Sequence, residues 1–167
     1  MSSGRRIEEE PIEKKIERVL RHRGLSVTTA ESCTGGLIAG TLVNADGISQ
    51  AFKEGYITYS NEAKMKLLGV KEETLQKFGA VSRETAIEMA EGAVVAAGAD
   101  VAVAATGIAG PGGGTEEKPV GLVYIGCTVE KQTVVKRCFF GGDRNEVRHK
   151  AVKEALEILY CQLLTAL

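Results

Sequence analysis

Side chains that could do chemistry are concentrated in three short segments, of which the first is residues 31–36, ESCTGG. A strand is expected to end here and a helix to begin, and Gly35 and Gly36 would let a ligand approach the backbone. Unpaired N–H groups at such a turn favour an anion or a developing oxyanion. The segment is therefore either a ligand-binding turn or a plain helix start at which Ser32 or Thr34 acts as the cap.

The second segment contains Tyr59, Ser60 and Asn61, with Lys64 five residues beyond the tyrosine. This spacing can bring a phenol and an ammonium group together at the start of a helix. A lysine acts as a general base when burial or a neighbouring cation lowers its pKa, and a serine hydrolase without histidine needs such a partner. The alternative is a solvated Lys64 and a Tyr59 that only packs in its strand.

The third segment is Thr106, Gly107 and the residues up to Gly110 and Pro111, which follow an apolar strand. They open a loop at 107–119 that could form a ligand wall or be a plain connection, and its length favours a function.

Two arginines, Arg144 and Arg148, lie one helical turn apart near the start of the last helix. Side chains at this spacing share one helix face, so the pair could clamp a phosphate group. The alternative is a surface ion pair between these arginines and Glu146 or its neighbours.

Other kinds of site are disfavoured by what the sequence lacks. The two histidines, His22 and His149, lie in polar stretches of the terminal helices, which disfavours a serine–histidine pair. No two histidines or cysteines have metal-ligand spacing, so we expect no metal. The glycine-rich loop lacks the GK[ST] ending of a phosphate-binding loop and no GxGxxG is present, so no cofactor is predicted.

Composition narrows the partners and the location. The 21 basic and 22 acidic residues nearly balance, which is unlike the basic surface that nucleic acid requires. No apolar stretch is long enough to span a membrane, and the charged start MSSGRRIEEEPIEKK does not resemble a signal peptide. We therefore expect a cytoplasmic protein that binds neither nucleic acid nor a membrane.

Hydrophobic periodicity predicts the elements that position these segments. We expect helices at 7–23, from 34–36 to 43, at 60–68, 72–78 and 83–97, and from 143 to the end. We expect strands at 25–29, 51–59 and 101–105 and a hairpin of 120–129 with 133–140, turning at 130–132. The predicted fold is a single α/β/α layered domain over 1–167 with a mixed β-sheet of about five strands, preceded by a disordered start at 1–6.

Five stretches of sequence, read in order, carry a resemblance to a known family. They are TTAESCTGG at 28–36, GYITYSNEAKMKLLGV at 55–70, FGAVS at 78–82, TGIAGPGGGTEEKPVGLVY at 106–124 and GDRNEVR at 142–148. On these motifs the chain resembles the CinA C-terminal domain family, the nicotinamide-nucleotide amidases. The resemblance implies metal-free hydrolysis of the carboxamide of nicotinamide mononucleotide to nicotinic acid mononucleotide and ammonia, a step in the recycling of pyridine nucleotides.

Carried over by motif, the resemblance makes Ser32 the nucleophile, with Tyr59 and Lys64 handling its proton. Lys64 would accept that proton directly or through Tyr59. Backbone N–H groups near 34–36 or 106–107 would stabilise the oxyanion, and the sequence leaves both open.

The same resemblance extends to the rest of the substrate. Arg144 and Arg148 are the candidates for the nucleotide phosphate, while Thr106 and the glycines of 107–114, Gly107 and Gly110 among them, would shape the ribose or pyridine pocket.

Three alternatives stay open at this point. Cys33 directly follows Ser32, and a thiolate is intrinsically the better nucleophile. The domain could also be a nucleotide-binding or regulatory module that keeps the pocket without chemistry. The resemblance further suggests a homo-oligomer, to which the apolar end YCQLLTAL could contribute.

Overall fold

A computed structural model describes residues 9–165 of the chain. The predicted start at 1–6 lies outside the described residues. The helices are α1 Ile12–Arg23, α2 Leu37–Leu42, α3 Asn61–Leu68, α4 Glu72–Phe78, α5 Arg83–Ala97 and α6 Arg144–Thr165, with a 3-10 turn at Ile48–Gln50. The strands are β1 Val27–Glu31, β2 Tyr56–Ile57, β3 Val101–Gly107, β4 Leu122–Val129 and β5 Gln132–Phe139.

The strands form one mixed sheet in the order β2-β1-β3-β4-β5, which confirms the predicted architecture. β2 and β3 both pair parallel with β1, whereas β4 and β5 are antiparallel to their neighbours. The carboxyl ends of β1, β2 and β3 therefore meet at one edge of the sheet. This edge is where open α/β sheets bind ligands.

Helices cover both faces of the sheet. Side chains alternate along β3, so that Val101, Val103 and Ala105 pack with residues of α1, α2 and α6, while Ala102 and Ala104 pack with α5. Burial on both faces explains why this strand is a continuous apolar run in the sequence. No helix within 9–165 has the length and apolar character to cross a membrane.

Strand β1 lies two residues later than the predicted 25–29. The N–H of Leu25 donates to Leu20 O (2.9 Å), and this bond closes the end of α1 at Gly24, which has a left-handed φ of 65°. Leu25 therefore belongs to the helix stop, and the strand continues to Glu31. The shift matters because it places Ser32 immediately after the last strand residue.

The strand expected over 51–59 is largely absent. Only Tyr56–Ile57 forms a strand, with an isolated bridge between Phe52 and Val27. Between them the Thr28 hydroxyl donates to Glu54 O at 2.8 Å, so a side chain takes the place of a ladder N–H. The hairpin turn is also tighter than predicted, because Glu130 and Lys131 both adopt positive φ and form a two-residue connection.

Candidate active site

A cavity of about 280 Å³ lies at the carboxyl edge of the three parallel strands. It is lined by Ser32, Cys33, Tyr59, Asn61, Lys64, Ala80, Val81, Thr106–Gly110, Gly112, Gly113 and Arg144. All three segments singled out in the sequence therefore contribute to one site. A larger cavity of about 660 Å³ elsewhere is lined by charges of both signs. Its one lining serine, Ser26, donates from its hydroxyl to the Asp100 carboxylate (3.0 Å) and, among the described residues, has no lysine amine beside it comparable to Lys64.

Ser32 and Lys64 are in direct contact in the cavity. Lys64 Nζ donates to Ser32 Oγ (3.1 Å) and to Thr58 O (2.8 Å). The lysine is only 1% exposed, and it takes part in none of the ion pairs found within residues 9–165. Burial without a carboxylate partner lowers the pKa of Lys64 from its ordinary 10.5. An amine in this position could accept the proton of the Ser32 hydroxyl.

Local structure brings these two residues together. Ser60 caps α3 by accepting the N–H of Ala63 (3.1 Å), so Lys64 lies one turn into the helix. On the other side, the Ser32 N–H donates to Ala105 O (2.9 Å) and extends the pairing of β1 with β3 by one residue. Both side chains are therefore mounted on regular elements rather than on a free loop.

Glu31, the first residue of the segment ESCTGG, lies behind the site and has a capping role that the sequence analysis did not predict. Its carboxylate is fully buried and accepts the N–H groups of Ile38 (2.8 Å) and Ala39 (3.0 Å) at the start of α2. A negative charge there satisfies two of the helix's free donors and complements the helix dipole. Glu31 lies seven residues before Ile38, which is farther than an ordinary N-cap residue lies from the N–H it accepts. The one signal in the sequence for this role is that an acidic residue precedes a predicted helix.

Cys33 lines the same cavity but is a poor nucleophile. Burial raises the pKa of its thiol to about 11. At neutral pH such a thiol is almost entirely protonated, so little of the reactive thiolate is present.

Tyr59 and Arg144 meet at the mouth of the cavity. Arg144 Nη2 donates to the Tyr59 hydroxyl (2.8 Å), and Nη1 donates to Gly110 O (2.7 Å). Tyr59 is 62% exposed. In the described part of the chain its hydroxyl makes no hydrogen bond to Ser32 or Lys64. Arg144 thus joins the end of β2 to the glycine-rich loop.

Arg148 lies apart from Arg144 and does not line the cavity. It donates from Nε to Cys33 O (2.9 Å) and from Nη2 to Thr34 O (3.2 Å). Thr34, Gly35 and Gly36 form the turn behind Ser32 and likewise do not line the cavity, and both glycines have positive φ. Of the predicted substrate contacts, the structure therefore brings Thr106, Gly107, Gly110 and Arg144 to the cavity.

Two loops are joined to form the remaining wall. The Thr106 hydroxyl donates to Ala80 O (2.7 Å), and Lys118 Nζ donates to Phe78 O. These bonds hold the FGAVS segment against the glycine-rich loop. Asn61, Ala80 and Val81 line the cavity although sequence reasoning had assigned them no role. No cluster of three metal-ligating side chains occurs among residues 9–165.

Comparisons with known proteins agree with this fold. The family model for the CinA C-terminal domain matches residues 9–163. A CinA-like protein of Kosmotoga olearia is 57% identical over 93% of this chain, and a putative competence-damage inducible protein of Clostridioides difficile is 50% identical over 93%. The chain spans only 38% and 37% of the length of these two relatives.

Solved structures show the same similarity. The competence/damage inducible protein CihA of Agrobacterium tumefaciens is 47% identical with a TM-score of 0.85, covering 92% of this chain and 96% of that one. The competence damage-inducible protein A of Klebsiella pneumoniae is 40% identical with a TM-score of 0.88, covering 92% and 95%. By family match, sequence identity and fold, this chain belongs to the CinA family as a CinA C-terminal domain.

Proposed function

We propose that this domain hydrolyses the carboxamide of nicotinamide mononucleotide to nicotinic acid mononucleotide and ammonia, with Ser32 as nucleophile and Lys64 as base. One observation carries the proposal: Lys64 Nζ lies 3.1 Å from Ser32 Oγ in a buried position that lowers the pKa of the lysine. A lysine with only a structural role would be expected to extend its ammonium group into water. A buried amine beside a serine hydroxyl is instead typical of an activated nucleophile.

The proposed reaction has two stages. Ser32 Oγ attacks the carboxamide carbon while its proton passes to Lys64 Nζ, and the carbonyl oxygen becomes an oxyanion. Lys64 then returns the proton to the amide nitrogen, and the C–N bond breaks. Ammonia departs, and the acyl group remains bound to Ser32 as an ester. In the second stage water attacks the ester, Lys64 transfers one of the water's protons to Ser32 Oγ, and the carboxylic acid is released and loses its remaining proton to solvent.

The mouth of the cavity supports a substrate that carries a phosphate. Arg144 presents a permanently charged guanidinium between Tyr59 and the glycine-rich loop. A phosphate could replace the carbonyl and phenol oxygens that Arg144 now contacts. Free nicotinamide should then be a poor substrate, because it would leave the arginine without its intended partner.

The experiment is ammonia release from nicotinamide mononucleotide by purified protein in the presence of EDTA. Wild type and Cys33→Ala should both release ammonia, whereas Ser32→Ala and Lys64→Met should not. If wild type binds the nucleotide but releases no ammonia, the domain is a nucleotide-binding module and the amidase proposal is wrong. Equal rates on free nicotinamide and on the nucleotide would contradict the phosphate contact.

We further propose that the activity serves the recycling of pyridine nucleotides in the cytoplasm and that the domain self-associates. Sedimentation of the purified domain tests the self-association directly, and a monomer at all concentrations would contradict it.

A further inference from the structure

The carboxyl end of strand β3, at Thr106 and Gly107, lies beside the proposed nucleophile. The register pairs Glu31 with Ala105, and the Ser32 N–H continues this pairing by donating to Ala105 O at 2.9 Å. Ser32 therefore lies opposite Thr106, in neighbouring strands about 4.8 Å apart. Ser32, Thr106 and Gly107 all line the cavity. The backbone at the end of β3 is thus within reach of a group that reacts with Ser32.

Two hydrogen bonds determine the direction of the Gly107 N–H. The backbone groups of successive residues in a strand point alternately to the two neighbouring strands. Ala105 O accepts the Ser32 N–H, so Ala105 faces β1, and Gly107, two residues later, faces the same side. The N–H of Ile108 donates to Leu122 O of β4 at 2.9 Å, so Ile108 faces β4 and the preceding Gly107 does not. Both bonds place the Gly107 N–H on the side of Ser32.

The Gly107 N–H lacks an acceptor within the described part of the chain. In a regular parallel ladder it would donate to Ser32 O. That oxygen instead accepts the N–H of Gly35 at 3.1 Å, where the chain turns out of the sheet, and no bond from Gly107 to it is found. Gly107 is partly exposed and lines the cavity, so its N–H is accessible to a bound molecule. A free backbone donor beside a nucleophile can bind a developing oxyanion.

The peptide that carries this N–H is held in place by its neighbours. The Thr106 hydroxyl donates to Ala80 O at 2.7 Å. A Cβ at Gly107 would lie 2.7 Å from Leu122 O and 2.9 Å from Val123 Cα, so a side chain there would force β3 and β4 apart. Glycine therefore allows the two strands to stay paired up to the cavity. A donor fixed in this way needs no reorganisation when charge develops on the substrate oxygen.

We infer that the Gly107 N–H is a donor of the oxyanion hole and binds the carbonyl oxygen of the substrate as Ser32 attacks. The inference rests on the proposed serine mechanism but not on the identity of the amide. It decides between the two segments that the sequence left open, because residues 34–36 do not line the cavity whereas Gly107 does. Negative charge on the oxygen develops only as the reaction proceeds, so this hydrogen bond strengthens in the transition state.

The test removes this single N–H by replacing the peptide bond before residue 107 with an ester. Glycolic acid incorporated in place of Gly107 puts an oxygen where the N–H was and leaves every side chain unchanged. The matched control is the same ester at Gly141, which is exposed, lies outside the cavity and likewise donates no hydrogen bond within residues 9–165. Both ester variants and wild type are treated with a fluorophosphonate, and labelling is followed by intact mass spectrometry.

This reagent reports on the nucleophile and the oxyanion donors without needing the natural substrate. Ser32 Oγ forms a bond to phosphorus, the P–F bond breaks, fluoride leaves, and the serine proton passes to Lys64. The phosphonyl oxygen then takes the position of the oxyanion. We expect the Gly107 ester to label about 100-fold more slowly than wild type, as loss of one oxyanion donor does in other enzymes. The Gly141 ester should label at the wild-type rate.

A second measurement needs no variant. Hydrogen exchange of the Gly107 amide, followed by NMR, should be fast in the free protein, because the N–H is accessible and without an acceptor. It should slow in the fluorophosphonate adduct, in which the phosphonyl oxygen accepts this N–H.

Several results would overturn the inference. Labelling of the Gly107 ester at the wild-type rate would show that its N–H does not bind the oxyanion, and equal slowing in both esters would assign the effect to the ester itself. A Gly107 ester that does not fold would show that the N–H serves the fold, and unchanged exchange in the adduct would show that no ligand oxygen reaches it. No labelling of Ser32 in wild type would refute the serine mechanism and the inference together, whereas labelling without ammonia release would refute only the proposed substrate.

Discussion

Replacing Glu31 with glutamine tests how the turn behind the nucleophile is built. The buried carboxylate accepts two backbone N–H groups, from Ile38 at 2.8 Å and from Ala39 at 3.0 Å. Glutamine has nearly the same shape but offers only one acceptor oxygen. Its NH₂ group would face one of the two N–H donors, so that one hydrogen bond is lost and one buried donor is left without an acceptor.

The magnitude follows from these contacts. A hydrogen bond to a charged group contributes roughly 1.5–3 kcal/mol, and an unsatisfied buried donor costs about 1–3 kcal/mol. Loss of the charge at the start of α2 adds about 0.5 kcal/mol or more. Allowing for overlap between these effects, we expect Glu31→Gln to lower the free energy of unfolding by about 2–4 kcal/mol. For a domain of this size that corresponds to a fall in Tm of about 4–16 °C.

The assay is thermal and urea unfolding followed by circular dichroism. Glu146→Gln is the matched control, because Glu146 also accepts a backbone N–H at a helix start, that of Asp143 at 2.7 Å, but is exposed to solvent. The control should lose less than about 1 kcal/mol. Equal losses in the two variants, or a change below about 1 kcal/mol for Glu31→Gln, would refute the argument that burial makes this cap strong.

Three further predictions concern the site and its support. As pH increases toward 10.5, the free energy of unfolding of wild type should rise relative to that of Lys64→Met. The reason is that the pKa of Lys64 is lowered in the folded state, which therefore binds the proton more weakly than the unfolded state does. Parallel curves of unfolding free energy against pH would contradict this. Iodoacetamide at neutral pH should alkylate exposed Cys161 but spare Cys33 and the activity, as peptide mapping would show. Gly92→Ala should lower the free energy of unfolding, measured in urea, by about 1–3 kcal/mol, because the added Cβ would lie 1.9 Å from Leu68 O. Replacing glycine with alanine inside a helix usually stabilises the protein, so a more stable variant would contradict this prediction.

The elements that the sequence determined are those whose signals are local. Gly24 and Gly98, both with left-handed φ, end helices where the apolar periodicity stops. The apolar run at Val101–Ala105 predicted a strand buried on both faces, and it is one. Where local signals compete, the predicted start of the first strand was wrong. Leu25 is β-prone, but its N–H donates to Leu20 O and completes the end of α1.

For the site, the motifs and strand ends predicted which segments would meet. Residues from all three segments line one cavity, because parallel strands place their carboxyl ends at the same edge. The motifs did not distinguish Arg144 from Arg148, since one helical turn of separation predicts a shared face. In the structure only Arg144 reaches the cavity, and Arg148 contacts the turn behind it.

Tertiary structure alone decided the chemistry of the individual groups. The residues that flank Lys64 in the sequence are similar in type to those that flank Lys66 and Lys71. Yet of these three lysines only Lys64 is buried, and it contacts a serine that lies 32 residues away in the chain. Glu31 likewise becomes a cap only because α2 begins beside it. The physical reason is that periodicity in the sequence reflects the face on which a side chain lies, whereas pKa and hydrogen bonding depend on desolvation and on groups that folding brings from distant parts of the chain.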